Sequence, residues 1–130
     1  MNDMSGAIRK VEFWPVDISI TDPFVVATGA RTVAENVFLR VTLANGAQGY
    51  GEAAPFPEVG GETRESCLST LHQLSTAVLG HSAANYQELG RMLSEQARTH
   101  PAARCGLETA VIDGAPDRLV RVAHQAAGER

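Results

Sequence analysis

With 130 residues, 44% of them hydrophobic and 20% charged, the chain has room for one domain with one modest core and lies far from the disordered regime. A formal charge of −4 and scattered arginines leave no basic stripe for a phosphate backbone, which argues against nucleic acid as a partner. Met1 to Lys10 lacks the apolar core of a secretion signal, and no stretch approaches the roughly 20 apolar residues of a membrane span, so the expected location is cytoplasmic.

From Ile8 to Ile20 apolar residues partly alternate (Val11, Phe13, then Val16, Ile18), which predicts a long strand with a break or bulge at Pro15. Val37, Leu39, Val41 and Leu43 alternate strictly, Asn45-Gly46 supplies a tight turn, and a short third strand follows over Gln48 to Glu52. These segments form a three-stranded antiparallel meander with one apolar face that needs a cover. Thr63 caps a helix to about Leu79, with Leu68, Leu71, Leu74, Ala77 and Val78 on one stripe and Gly80 at its end. A second helix fits Tyr86 to Arg98, burying Leu89, Met92 and Leu93. A third starts at Pro101, carries Ala103, Leu107, Ala110 and Val111, and breaks at Gly114-Ala115-Pro116. Strands first and helices after them indicate an α+β fold: the meander followed by about three helices.

Residues 1–115 read as one domain and 116–130 as a polar, Ala-rich tail. Cys67 and Cys105 lie in predicted helices without a C-x-x-C pairing, which predicts two buried free thiols. His72, His81, His100 and His124 have no ligand spacing, so no metal site is expected. Two connections, Thr21–Glu35 and Ala53–Glu62, are long for a compact domain. Each mixes Gly or Pro with apolar residues, Pro23 to Val26 in one and Pro55, Phe56, Pro57 and Val59 in the other. Such loops often carry function, although Phe24 and Phe56 could equally tuck under the sheet.

At these loops the sequence resembles the muconate-lactonizing-enzyme subgroup of the enolase superfamily, and within it the dipeptide epimerases. The matching runs are D-P-F-V-V-A-T-G-A-R-T-V-A-E-N-V-F-L-R-V, Asp22 to Val41, and N-G-A-Q-G-Y-G-E-A-A-P-F-P-E-V-G-G-E-T, Asn45 to Thr63. A later run, P-A-A-R-C-G-L-E-T-A-V-I-D from Pro101 to Asp113, resembles the helix that precedes the family's barrel. The resemblance implies an N-terminal capping domain whose two loops close over the substrate of a TIM barrel. In the full-length family the barrel supplies acid/base lysines and the carboxylates that hold Mg2+. Removing a proton next to a carboxylate requires such electrostatic support, and a lid strengthens it by excluding water.

Carried over by resemblance, Phe24, Thr28, Gly29 and Arg31 belong to the first substrate-binding loop, and Phe56, Pro57 and Val59 to the second, with Phe24 and Val59 as apolar walls. Some dipeptide epimerases place an arginine where this chain has Gly29, which argues against an acidic dipeptide such as Ala-Glu. Arg31 either replaces that arginine or stays a solvated surface side chain, the commoner outcome. Glu52 is expected to be a buried or capping carboxylate rather than a general base. A barrel takes at least about 200 residues, and Lys10 is the single lysine in the chain. The expectation is therefore a cap with the TIM barrel absent, no catalytic residue, no metal ligand, no cofactor bound by this chain and no turnover alone. The same cap would serve an o-succinylbenzoate synthase or muconate cycloisomerase, and a stand-alone binding or interaction module is the reading from a different class. The partners expected are a small carboxylate or dipeptide, with a barrel domain present, and further copies of the chain. Without a barrel, Phe24, Phe56 and Val59 face water, which predicts a homo-oligomer through the barrel-facing surface.

Overall fold

The computed structural model describes residues 4–19, 25–26, 29–30 and 33–115. Five strands, β1 (Ile8–Ser19), β2 (Val25–Val26), β3 (Gly29–Ala30), β4 (Val33–Leu43) and β5 (Gln48–Ala53), come first. They are followed by a short turn of helix, α1 (Pro57–Gly60), then α2 (Arg64–Val78), a 3-10 turn (Ala83–Asn85), α3 (Tyr86–Gln96) and α4 (Pro101–Gly114). The main sheet is antiparallel in the order β1-β4-β5, and β2 pairs with β3 in a separate small hairpin.

The hairpin of β4 and β5 forms as the alternation predicts, with Val37 opposite Ala53, Leu39 opposite Gly51 and Val41 opposite Gly49. Val37, Leu39, Val41 and Leu43 are buried against the helices. Gly46 takes a positive φ of 89° in the turn, and the Asn45 side-chain oxygen accepts from the Ala47 amide at 2.8 Å, which locks the register locally.

The expected break at Pro15 does not occur. Pro15 pairs with Val37 inside an unbroken β1, and the register shift lies between Ile8 and Lys10. β1 is an edge strand, where a residue without an N–H costs no ladder bond if its nitrogen faces outward. The connection read as Thr21–Glu35 is broken up, because β4 begins already at Val33 and the β2/β3 hairpin lies between β1, which ends at Ser19, and β4. Ile20 lies outside the described residues.

Helix α2 begins where Thr63 predicts. The Thr63 hydroxyl accepts from the Ser66 amide at 3.1 Å and the Ser66 hydroxyl accepts from the Thr63 amide at 3.0 Å, a reciprocal capping box. Its buried stripe is Cys67, Leu71, Leu74 and Val78, while Leu68 and Ala77 are half-buried. In α3, which stops at Gln96 rather than Arg98, Leu89 and Leu93 are buried and Met92 is half-buried. α4 buries Ala103, Gly106, Leu107, Ala110, Val111 and Gly114. Cys105 points away from that stripe and is exposed, contrary to expectation, whereas Cys67 is buried.

The segment before β1 stitches three parts together through backbone bonds. Ser5 and Ala7 carbonyls accept from Asn45 and Ala44 in the β4–β5 turn, and Gly6 and Ile8 carbonyls accept from Ala83 and Gly80 after α2. On the sheet face away from the helices, Trp14, Phe38 and Tyr50 form a row, with ring centroids 5.6 and 6.1 Å apart. Arg40 lies over Trp14 at 5.7 Å and grips Glu12 with two hydrogen bonds of 2.9 and 3.1 Å. Those bonds hold the Glu12 carboxyl below its ordinary range.

Candidate functional site

The second loop is positioned by an unusually close helix-on-strand contact. A Cβ on Gly51 would lie 2.1 Å from the Gly106 carbonyl oxygen, and one on Gly49 would lie 2.0 Å from that of Ala110. The glycines of the Gly49-Tyr50-Gly51 run therefore serve as a seat for the backbone of α4. At the outer edge of β5 the Asp113 carboxylate accepts from the Tyr50 amide at 2.9 Å, so α4 also satisfies one backbone group of that edge.

From this platform the chain leaves β5 at Ala53 and folds into α1, a helical turn inside what the sequence reads as plain loop. Pro57 occupies the first helical position, where its missing N–H costs nothing. The Phe56 carbonyl accepts from Val59 and Gly60 at 3.1 and 3.0 Å, and the Pro57 carbonyl accepts from Gly61 at 3.0 Å. Gly61 then reverses the chain with φ 80°.

Val59 stands on this turn 77% exposed, the most solvent-accessible of the large apolar residues described. Beside it lies an open, mainly apolar depression of ≈ 380 Å³, lined by Ala54, Phe56, Val59, Gly60, Glu62, Pro101 and Ala102. The structure thus brings Phe56 and Val59 together, while Pro57 shapes the turn without lining the depression. Of the first loop, Gly29 lies in β3 opposite Val26. Phe24, Thr28 and Arg31 lie outside the described residues, as do Pro23, Ala27, His124 and the tail 116–130.

Ala54, Gly60, Glu62, Pro101 and Ala102 complete the depression and are not among the site residues expected from the sequence. Glu62 is 4% exposed, and its two carboxylate oxygens accept from the Ala102 and Ala103 amides at 2.9 and 3.0 Å. The available signal was indirect. His100 precedes α4 without making a side-chain cap, Pro101 has no N–H, and the next two amides needed an acceptor from elsewhere. Glu62 also faces Cys67. Burial first, and then the charge of Glu62, push the Cys67 thiol up to about 12.

Glu52, expected to be buried or capping, is exposed on the outer sheet face and accepts from the Asn36 side-chain amide at 2.7 Å. Its position on the outward side of β5 explains this, because the inward positions belong to Gly49, Gly51 and Ala53. Among the described residues no three His, Cys, Asp or Glu side chains converge, so this part of the chain does not fit a magnesium ion, which needs several oxygen ligands. No described helix is long and apolar enough to cross a membrane.

An antiparallel meander is thus covered by helices, with a shaped loop beside the start of the last described helix. Residues 8–120 match the mandelate racemase / muconate lactonizing enzyme N-terminal domain, and the chain belongs to that family. An aromatic dipeptide epimerase from Herpetosiphon aurantiacus is 39% identical over 110 residues, which span 85% of this chain and 31% of that enzyme. A crystal structure of a mandelate racemase/muconate lactonizing protein from the same organism superposes with a TM-score of 0.81 at 38% identity, covering 86% of this chain and 31% of that one. The dipeptide epimerase from Methylococcus capsulatus, complexed with Mg and the dipeptide L-Arg-D-Lys, superposes with a TM-score of 0.76 at 27% identity, over 94% of this chain and 32% of that one. The chain therefore spans about a third of the length of these relatives.

Proposed function

We propose that this chain is the substrate-covering cap of a magnesium-dependent dipeptide epimerase, and that its second loop walls a large apolar side chain of the dipeptide. The observation that carries this reading is Val59. An apolar side chain held 77% exposed on a built turn, next to a mainly apolar depression, is a surface waiting for an apolar group. The family's dipeptide epimerases support the reaction class, and the glycine at position 29 supports an uncharged over an acidic side chain.

In this reading the chain's own work is binding and exclusion of water. Phe56 and Val59 supply apolar contact, and the platform of β5 and α4 holds them in place. Proton transfer and the metal belong to the barrel that the family resemblance implies. In D2O with magnesium and a dipeptide library, the chain alone is expected to exchange no α-proton. Mixed with a barrel-only version of the Herpetosiphon aurantiacus relative, it is expected to restore exchange for dipeptides with aromatic or aliphatic side chains. Exchange by the chain alone, or restoration confined to acidic dipeptides, would overturn the proposal.

The same surface gives the free chain a reason to associate. Phe56 and Val59 lie on the open side, and copies meeting there would bury them. Sedimentation at micromolar concentration is expected to show a dimer or larger species that Val59→Asp shifts toward monomer. A wild-type monomer, or a dimer indifferent to V59D, would refute this.

A further inference from the structure

We propose that Glu62 is the positioning residue of the second loop: by bridging to the amides of Ala102 and Ala103, its carboxylate holds the Phe56–Gly61 turn, and Val59 with it, at a fixed distance from the start of α4. This rests on the reading of that turn as a substrate wall.

Three elements meet at Glu62. It ends the second loop, it precedes the capping box of α2, and it completes the N-terminus of α4 from 40 residues upstream. The start of α4 cannot complete itself, because His100 makes no side-chain cap and Pro101 has no N–H. A carboxylate answers both the two orphan amides and the positive end of the helix dipole. No other residue type of similar length offers two acceptor oxygens in one plane.

The mechanical consequence lies in what α4 is fastened to. Its backbone rests on Gly49 and Gly51, and Asp113 ties it to Tyr50. The loop leaves this same rigid unit at Ala53 and is tied back to it at Glu62. Between the two anchors the backbone bonds of the turn itself run from Val59, Gly60 and Gly61 to Phe56 and Pro57. With both ends fixed, the turn has one place to stand. With Glu62 removed, the turn survives as a unit but loses its tie to the start of α4, while the Thr63–Ser66 box keeps α2 intact.

The experiment compares the full chain with Glu62→Gln and Glu62→Ala by backbone 15N relaxation. In the wild type, Val59, Gly60 and Gly61 are expected near the rigid order parameter of about 0.85. In E62A they fall below about 0.6 while Leu39 and Val41 in the sheet stay rigid. E62Q keeps one acceptor oxygen and falls between. Should E62A fail to fold, E62Q decides alone. Order parameters at the wild-type value in E62Q, despite an altered Ala102 or Ala103 amide shift, would overturn the proposal, as would equal loosening of the turn and the sheet. In the reconstituted assay E62Q is expected to raise KM about tenfold at unchanged kcat, the mark of lost binding rather than lost chemistry. No activity from the wild-type mixture would count against the dipeptide reading, and the relaxation data would still judge Glu62.

Discussion

Gly49 and Gly51 occupy positions where one methyl group decides whether α4 can lie on β5. A Cβ on Gly51 has backbone, the Gly106 carbonyl, only 2.1 Å away, and backbone cannot rotate aside as a side chain can. Gly51→Ala is therefore expected to destabilise the domain by about 3 kcal/mol or more, the upper range for overpacking, visible as a lower denaturant midpoint. The thiols make a second prediction at this scale. A thiol-specific reagent is expected to label Cys105 in the native chain and Cys67 only after denaturation. Cys67 ionises near 9.0 when unfolded and near 12 when folded, so the folded state binds its proton more tightly. Stability from this group is complete below pH 9 and is lost as pH rises toward 12, and Cys67→Ala should flatten that decline in pH-dependent denaturation. Cys105 was expected to be buried because free cysteines usually are, although the stripe of Ala103, Leu107, Ala110 and Val111 already leaves position 105 on the other side of α4. Glu62 was hidden in the sequence. Its partners are 40 and 41 residues away, and no local pattern links a carboxylate to the amides it will meet.

Elements whose signals are local were legible. The strict alternation of Val37 to Leu43 and the Asn45-Gly46 turn specify a hairpin within a dozen residues, and the structure has that register. Thr63 announces α2 through a box that closes over three residues. Removing it with Thr63→Ala is expected to cost about 1 kcal/mol, measurable by chemical denaturation. What depends on sheet position was not legible. Pro15 looks like a break because proline forbids a central strand, and only the order β1-β4-β5 shows that its strand lies at the edge. The turn Pro57–Gly60 is too short for helical periodicity to register, so the element that raises Val59 into solvent read as plain loop.

At the scale of the whole molecule, strands followed by helices placed the fold in the α+β class, and the family resemblance indicated which loops to watch. The shape of the depression followed from neither. It needs Pro101 and Ala102 beside Phe56 and Val59, and that meeting depends on the glycine seat between β5 and α4. The same seat has a consequence during synthesis. The sheet can assemble from the first half of the chain, but the outward amide of Tyr50 on the edge of β5 is satisfied only when Asp113 reaches it. Until the ribosome has released the last turn of α4, the nascent domain carries an open strand with glycines where side chains would shield it, a surface to which another chain's strand can add. Chaperone dependence should therefore peak in that interval and end with α4, so that chains stalled before residue 113 aggregate while chains released after it do not.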